Sequence, residues 1–518
     1  GNGYYIDLDG EFVRPGNRDW DSDGIWNTLD NCAGGAQGWT SNASTDVDND
    51  GCIDATEDLD DDGDSYSDSI EISCGTDPLD ASDIPLDNDL DGICDAFDVD
   101  DDNDGHLDIE DDFPFDENGF IQYTLGDGFQ SGQPEDNATL GMAKTTSCSI
   151  LDDNSLRCWG DNEYGQVGDG TRGNNRLIPT NVSLPSGKIP ISVSTSSQGT
   201  SFCSIMDDGS LYCWGNNNDG QLGLGFSCSF GSYISGCNGG NGISSPTMIQ
   251  LPIGSSATAV SLGLDHSCVI IDNGSVFCWG NNQNGKLGVG NTTNTGDWRY
   301  SPHPVLMPTG TSAISITTGD RHSCMIIDNG NTFCWGRNYW GQLGDGTSTD
   351  RNIPTQISST STYISISAGQ YFTCAITSQK TLDCWGENSD GQLGLGAYTN
   401  SKFTTPQNTI LPVNLEVISI SSGYDFACAI LETMVVYCWG NDDDNKLNTA
   451  YNCEADEQTN GCNAGFRVTP AESELPVGRG AIGIATGKDH MCMILDNGGI
   501  YCTGNNDYGQ LGNESTDG

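Results

Sequence analysis

Two cysteines ten positions apart recur seven times along the chain: Cys148 and Cys158, Cys203 and Cys213, Cys268 and Cys278, Cys324 and Cys334, Cys374 and Cys384, Cys428 and Cys438, and Cys492 and Cys502. In six of the seven the second cysteine is followed by Trp-Gly. A repeated period constrains architecture before any single residue can be interpreted. Successive first cysteines lie 55, 65, 56, 50, 54 and 64 residues apart, a unit of about 50 to 56 residues with two insertions. Each unit holds a short β-rich run, a turn such as Asp272-Asn273-Gly274, the Cys-Trp-Gly and usually Gly-Gln-Leu-Gly. Such a unit cannot bury its apolar face alone, so the units must stack in a line or in a ring.

The chain has 518 residues, room for two or three domains. Its 22 cysteines in regular pairs point to an oxidising compartment, extracellular or at a cell surface. A net charge of −56, from 74 acidic and 18 basic residues, argues against nucleic acid as a partner. No run of 18 apolar residues is present, so no membrane span is expected. The start at Gly1-Asn2-Gly3-Tyr4-Tyr5 reads as a mature or trimmed end. Sequons at Asn42, Asn137, Asn181, Asn273, Asn291 and Asn513 are candidate glycosylation sites.

Charge marks a boundary. Residues 1–118 hold 37 Asp and Glu against Arg14 and Arg18, and few aliphatics. A segment of that composition cannot fold on an apolar core and needs something to neutralise it. The expected organisation is an N-terminal extension (1–18), an acidic arm (19–118) and the repeat domain (119–518).

Within the arm, five stretches place acidic or amide side chains at positions 1, 3, 5, 9 and 12 of a calcium loop. They are Asp19-Asp21-Asp23-Asn27-Asp30, Asp46-Asp48-Asp50-Asp54-Glu57 and Asp60-Asp62-Asp64-Asp68-Glu71, followed by Asp87-Asp89-Asp91-Asp95-Asp98 and Asp100-Asp102-Asp104-Asp108-Asp111. Alternation aims three carboxylates at one point and position 7 offers its carbonyl. Position 6 calls for a sharp turn, supplied by Gly24, Gly51, Gly92 and Gly105, with Ser65 in the third loop. About five Ca²⁺ are expected, and Mg²⁺ is disfavoured because it keeps its waters. The loops start at 19, 46, 60, 87 and 100, and the pairs Cys32 with Cys52 and Cys74 with Cys94 follow the same rhythm. This spacing leaves no room for EF-hand helices. With Asp30-Asn31-Cys32 and Gly75-Thr76-Asp77-Pro78, residues 19–112 resemble thrombospondin type 3 repeats. The resemblance implies a metal-cored, cysteine-stapled arm with little regular secondary structure.

In the repeat domain the units read as antiparallel strands, such as Ile314–Thr318, Cys324–Ile327 and Thr332–Trp335 around the turn Asp328-Asn329-Gly330. Ten-residue spacing about that turn sets the two cysteines opposite each other, where a cross-strand disulfide can form. Zinc is the rival reading. It fails because the pairs are isolated, with no second pair or neighbouring histidines that recur from unit to unit. Two further pairs, Cys228 with Cys237 and Cys453 with Cys462, staple the insertions in units two and six, which suit recognition or subunit contact.

Cys213-Trp214-Gly215 with Gly220-Gln221-Leu222-Gly223, and the matching segments at Cys334–Gly344 and Cys384–Gly394, resemble the regulator of chromosome condensation repeat. That family builds seven-bladed β-propellers, so the implied fold is all-β: a seven-bladed propeller preceded by a loop-rich calcium arm. Unit six carries Asn445-Lys446-Leu447-Asn448 in place of the glycine box and unit seven carries Thr503 in place of Trp, so both should pack less regularly. For ring closure Phe120-Ile121-Gln122-Tyr123 is the candidate extra strand. Tyr4-Tyr5-Ile6-Asp7-Leu8 could instead pair with a neighbouring molecule.

His266, His322 and His490 each stand two residues before a unit's first cysteine. A residue repeated at one structural position reads as packing or hydrogen bonding, and no catalytic motif accompanies it. The reading is a non-enzymatic, extracellular, calcium-stabilised structural or adhesive surface protein, a subunit of a fibre or layer. Its partners would be itself, as a homopolymer, or other surface proteins or glycans. Two alternatives remain: a secreted monomeric protein-binding or inhibitor propeller, and a carbohydrate-active propeller.

Overall fold

The computed structural model describes the backbone of Tyr5–Ile6 and Phe12–Val13, and residues 31–85 apart from 33–38, 43, 51, 55–57, 64–65 and 75. It describes residues 140–516 apart from 152, 229–236, 238–240, 292–297, 397–401, 413–414, 450–461 and 464–465. The chain divides into two compact units, Gly1–Gln122 and Tyr123–Gly518.

The second unit is a ring of seven antiparallel sheets. Blade four is representative: Ala313–Thr318, His322–Ile327, Thr332–Gly336 and Arg351–Gln356 pair in that order. Blades one, two, three and five repeat this four-stranded pattern, and blade six adds the short strand Cys462–Asn463. Blade seven has three strands among the described residues: Ala481–Thr486, His490–Leu495 and Ile500–Gly504. The first strand of each blade touches the first strands of both neighbours, the seventh against the first included. These strands are therefore innermost and the ring is closed. Phe120–Tyr123 lies outside the described residues. Tyr5–Ile6 pairs within the chain, antiparallel to Phe12–Val13.

Each hairpin sets its two cysteines directly opposite, and all seven pairs close as disulfides. Cys148 bonds Cys158, Cys203 bonds Cys213, Cys268 bonds Cys278 and Cys324 bonds Cys334. In the last three blades Cys374 bonds Cys384, Cys428 bonds Cys438 and Cys492 bonds Cys502. Their Cα atoms stand 4.0–4.1 Å apart. That separation belongs to the closely spaced class of antiparallel pair, where side chains meet most directly. The first six pairs are wholly buried, whereas Cys502 in blade seven is only partly covered. That blade lacks a fourth strand among the described residues, so the outer cysteine of its hairpin has less to pack against.

The blades are locked by the Trp that follows the second cysteine. Trp385 Nε1 donates 2.9 Å to the Gln342 carbonyl in the glycine box of the preceding blade. Trp159, Trp214, Trp279, Trp335 and Trp439 make the same bond, and all six indoles are buried. The closing glycine of the box faces that indole. Gly344 has φ +66°, and a Cβ there would lie 2.8 Å from Trp385 Nε1. Toward the axis the inner strands converge so closely that a Cβ on Gly319 would meet the Gly369 carbonyl of the next blade at 2.4 Å.

The sixth unit does not pack irregularly, against expectation. Asn445 and Asn448 take φ of 54° and 47°, the left-handed conformation that glycine supplies elsewhere, and Leu447 is buried. Asn tolerates this region better than other side chains. The position that faces a Trp in every other seam meets the seventh blade, whose equivalent residue is Thr503. With no indole to clear, a glycine is not required there. The two departures are halves of one exchange.

Among the described residues of the first unit, one helix of seven residues, Asp68–Cys74, stands in an arm expected to hold little regular secondary structure. It starts where the Ser67 carbonyl accepts the amides of Ile70 and Glu71. Asp68 and Glu71 in its first turn face the positive end of its dipole.

Candidate functional site

Two regions hold convergent polar groups. In the arm, the second and third calcium-pattern loops adopt the same backbone plan. The carboxylate at position 9 accepts the amide at position 2: Asp54 from Val47 at 3.2 Å, and Asp68 from Asp61 at 2.8 Å. The amide at position 9 bonds the carbonyl preceding each loop, Asp54 to Thr45 and Asp68 to Leu59. The left-handed residue among those described is at position 4, Asn49 (φ 64°) and Gly63 (φ 74°). Gly51 and Ser65, at position 6, lie outside the described residues.

One carboxylate oxygen each from Asp46, Asp48 and Asp50 lie within 4.8 Å of one another. Oxygens on opposite sides of a Ca²⁺ bound at about 2.4 Å stand about 4.8 Å apart, so this cluster fits one ion. Asp54 groups instead with Asp58 and Asp61. Those two aspartates fall outside the loop pattern, and sequence reasoning missed them. A third group joins Asp50, Asp58 and Cys52, but Cys52 is bonded to Cys32 and offers no thiolate.

The fit to a cation rests on atoms left bare. Asp46 is buried with no hydrogen-bond partner for Oδ2, and Asp58 Oδ2 and Asp61 Oδ1 are likewise unpartnered. Burial, then the neighbouring Asp68, Asp54 and Asp58, pushes the Asp61 carboxyl up to about 7. Burial and Asp50 push Asp48 up to about 6. Asp60, Asp62 and Glu71 belong to the same region, Glu71 at the helix. Glu57 and Asp64 lie outside the described residues. So do the whole of the first loop (Asp19–Asp30), the fourth (Asp87–Asp98) and the fifth (Asp100–Asp111).

The histidines are placed between blades. His266 Nε2 meets Ser323 Oγ, His322 Nε2 meets Thr373 Oγ1 and His490 Nε2 meets Ser147 Oγ, each at 2.9 Å in the next blade. Each hydroxyl already donates to a carbonyl, Lys286, Gln342 and Gln510 respectively. The imidazole must therefore donate through Nε2, which leaves Nδ1 unprotonated, and all three Nδ1 atoms are buried without a hydrogen-bond partner. Where the aromatic is Phe, the neighbour is apolar: Phe372 packs in one cluster with Ala427, and Phe426 with Met491. This is a seam, not a catalytic site.

The loops between first and second strands bring polar side chains of blades four to seven together at the mouth of the ring. Gln370 Nε2 donates 2.6 Å to Tyr424 Oη. Lys488 Nζ sits 5.7 Å from the Tyr424 ring centre, and the Arg337 guanidinium 5.4 Å from that of Tyr371. Burial, with Asp265 nearby, pushes Asp320 up to about 7. Burial and the neighbours Asp390 and Asp425 push Glu387 up to about 7; Asp390 rises to about 6 from burial and Asp425. Lys286 and Lys446, which replace the box glutamine in units three and six, are buried on Asp265 and Asp425. The sequence carried that signal as Gln-to-Lys at two boxes.

The bond between Cys228 and Cys237 closes and is buried. Residues 229–236 between them lie outside the described set, as does Cys453, the intended partner of the disulfide-bonded Cys462. Cys74 is disulfide-bonded, and its intended partner Cys94 is also outside. Asn42, Asn181, Asn273, Asn291 and Asn513 are exposed; Asn137 is outside the described residues. Among the described residues no helix is long and apolar enough to cross a membrane.

The family model of the RCC1-like domain matches residues 134–458, and the regulator of chromosome condensation (RCC1) repeat matches 481–510. The ultraviolet-B receptor UVR8 of Arabidopsis thaliana is 30% identical over 215 residues, 42% of this chain and 44% of that protein. The E3 ubiquitin-protein ligase HERC2 of Homo sapiens is 27% identical over 359 residues, 69% of this chain and 6% of that protein. The chain thus spans less than half the length of these curated relatives. Among solved structures, yeast RCC1 (Prp20) bound to Kap60 matches with a TM-score of 0.59 at 19% identity, covering 76% of this chain and 84% of that one. Human WBSCR16 matches with a TM-score of 0.57 at 18% identity, covering 69% and 91%.

Proposed function

Because the chain belongs to the RCC1-like domain family, we propose that it is a protein-docking propeller adapted to the outside of the cell, serving a structural or adhesive role. One observation carries the proposal: all seven blades close a disulfide across the same hairpin, where a reducing cytosol would leave thiols. Prp20p of Saccharomyces cerevisiae, a solved relative, binds Gsp1p and histones, which supports docking as a use of this fold. Fold likeness alone does not name the partner.

The arm, in this reading, is a thrombospondin type 3-like calcium module. Asp46, Asp48 and Asp50 would hold one ion, and Asp54, Asp58 and Asp61 a second. Calcium would supply charge neutralisation and a core to a segment without an apolar one.

The test uses the full chain. With calcium, the arm should resist protease and electron microscopy should find fibres or layers; in chelator, cleavage should fall before about residue 119. Alkylation without reduction should find no free thiol. Several free thiols would sink the exported location, and equal protease resistance with and without calcium would sink the arm's role.

A further inference from the structure

In units three and six lysine replaces the box glutamine, and in both the residue just before the second strand is aspartate, Asp265 and Asp425. Units that keep the glutamine carry Thr145, Thr200, Arg321 and Tyr371 at that place, and Asp489 in unit seven. Lysine at the box and aspartate at the loop thus occur as a pair. Lys286 is 1% exposed and donates to Asp265 Oδ1. Lys446 is wholly buried, its Nζ 3.1 Å from Asp425 Oδ1 and 5.2 Å from the Phe426 ring centre. A third group stands beside each pair. The unprotonated, buried His266 Nδ1 lies 3.9 Å from Asp265 Oδ1. Asp489 Oδ1 lies 3.6 Å from Lys446 Nζ, with its other oxygen held by Lys488 at 2.6 Å.

A charged pair taken out of water loses hydration that its mutual attraction repays only in part. Burial raises the Asp265 and Asp425 carboxyls and lowers the Lys286 ammonium, each against the pull of its partner. A desolvated amine is a nucleophile, and a neutral carboxylic acid held against it is an electrophile. We propose that Lys286 condenses with Asp265, and Lys446 with Asp425, into isopeptide bonds that tie the box of each blade to the loop ahead of its second strand. The amine nitrogen attacks the Asp Cγ, and the C–N bond forms as the carboxyl C–OH bond breaks. His266 Nδ1 in blade three, or the Asp489 carboxylate in blade six, takes up the proton that the amine sheds and returns it to the leaving hydroxyl. One water departs per bond, with no oxidant or cofactor. Fixed geometry supplies the effective concentration that amide formation lacks in solution. Each bond would join residues 21 positions apart and enclose the disulfide hairpin in a second covalent loop.

Mass spectrometry of the purified full chain, reduced, alkylated and denatured, tests it. The intact mass should fall short of the sequence by two waters. A tryptic digest should hold two branched peptides, Lys286 joined to Asp265 and Lys446 to Asp425, with both lysines uncut. Lys286→Arg and Lys446→Arg keep the cation, and each should restore one water and remove one branch. If an arginine variant fails to fold, the wild-type digest decides alone. Linear peptides cut after both lysines would overturn the proposal and leave two ion pairs. So would water lost without a branch, the mark of succinimide at Asp-Gly turns such as Asp208-Gly209. A branch in one blade only confines the bond to that blade and refutes it in the other. The digest needs no docking partner, so its outcome is independent of the docking reading.

Discussion

His490 in the last blade and Ser147 in the first meet at 2.9 Å, Nε2 to Oγ, so one neutral imidazole bridges the seam where the ring closes. Burial lowers the imidazole to about 4, with Asp489 opposing weakly. An unfolded histidine titrates near 6.5. Below that value protonation favours the unfolded chain, so this contribution is complete above about pH 6.5 and falls as pH drops toward 4. For a shift of this size the loss at pH 4 is about 3 kcal/mol. Buried carboxyls such as Asp320, raised to about 7, act in the opposite sense. The measurable quantity is therefore a difference: the stability of wild type over His490→Gln should shrink between pH 7 and 4. A difference independent of pH would refute the assignment.

The indole seam predicts an asymmetric pair of variants. Gly344→Ala puts a methyl group against Trp385 and strains a residue at φ +66°, and should cost about 3 kcal/mol in denaturant unfolding. Asn448→Gly, facing the blade without an indole, should stay within about 1 kcal/mol. Similar losses in both would refute the seam account.

Replacing Cys324 and Cys334 together by Ser removes one hairpin staple and should cost about 2–3 kcal/mol. Because both sulfurs are buried, intact protein should resist mild reductant at this pair. Rapid loss of the bond in native conditions would contradict the packing.

In the arm, Asp61→Asn should weaken calcium binding about tenfold by calorimetry, as removal of one charged ligand does. Full wild-type affinity would exclude Asp61 from the coordination.

Much of this fold was legible because its signal is local. The cysteine pairs, the turn between them and the glycine box all lie within one unit, and a ten-residue period survives without any knowledge of neighbours. What holds units together was not legible, because each seam joins residues of different units, about fifty positions apart at most junctions and 343 at the one that closes the ring. His322 with Thr373 and Phe372 with Ala427 are ordinary residues until the ring juxtaposes them. In the arm, the loop pattern located Asp46, Asp48 and Asp50, but Asp54 turned to Asp58 and Asp61, since two loops fourteen residues apart share one interior. The helix at Asp68–Cys74 was missed because the loop pattern runs straight through it.

The seams have a consequence for how such a ring can be rearranged. Their chemistry differs around the circle: imidazole to hydroxyl at three junctions, phenyl to small or thioether side chain at two, the second of these being also the one where threonine has replaced an indole. Each blade is keyed on both flanks to the neighbours it has. New termini opened in an outer loop would preserve every junction, whereas exchanging two blades would set imidazole against methyl and indole against asparagine. Cyclic order is thus written into the molecule, although its blades look alike.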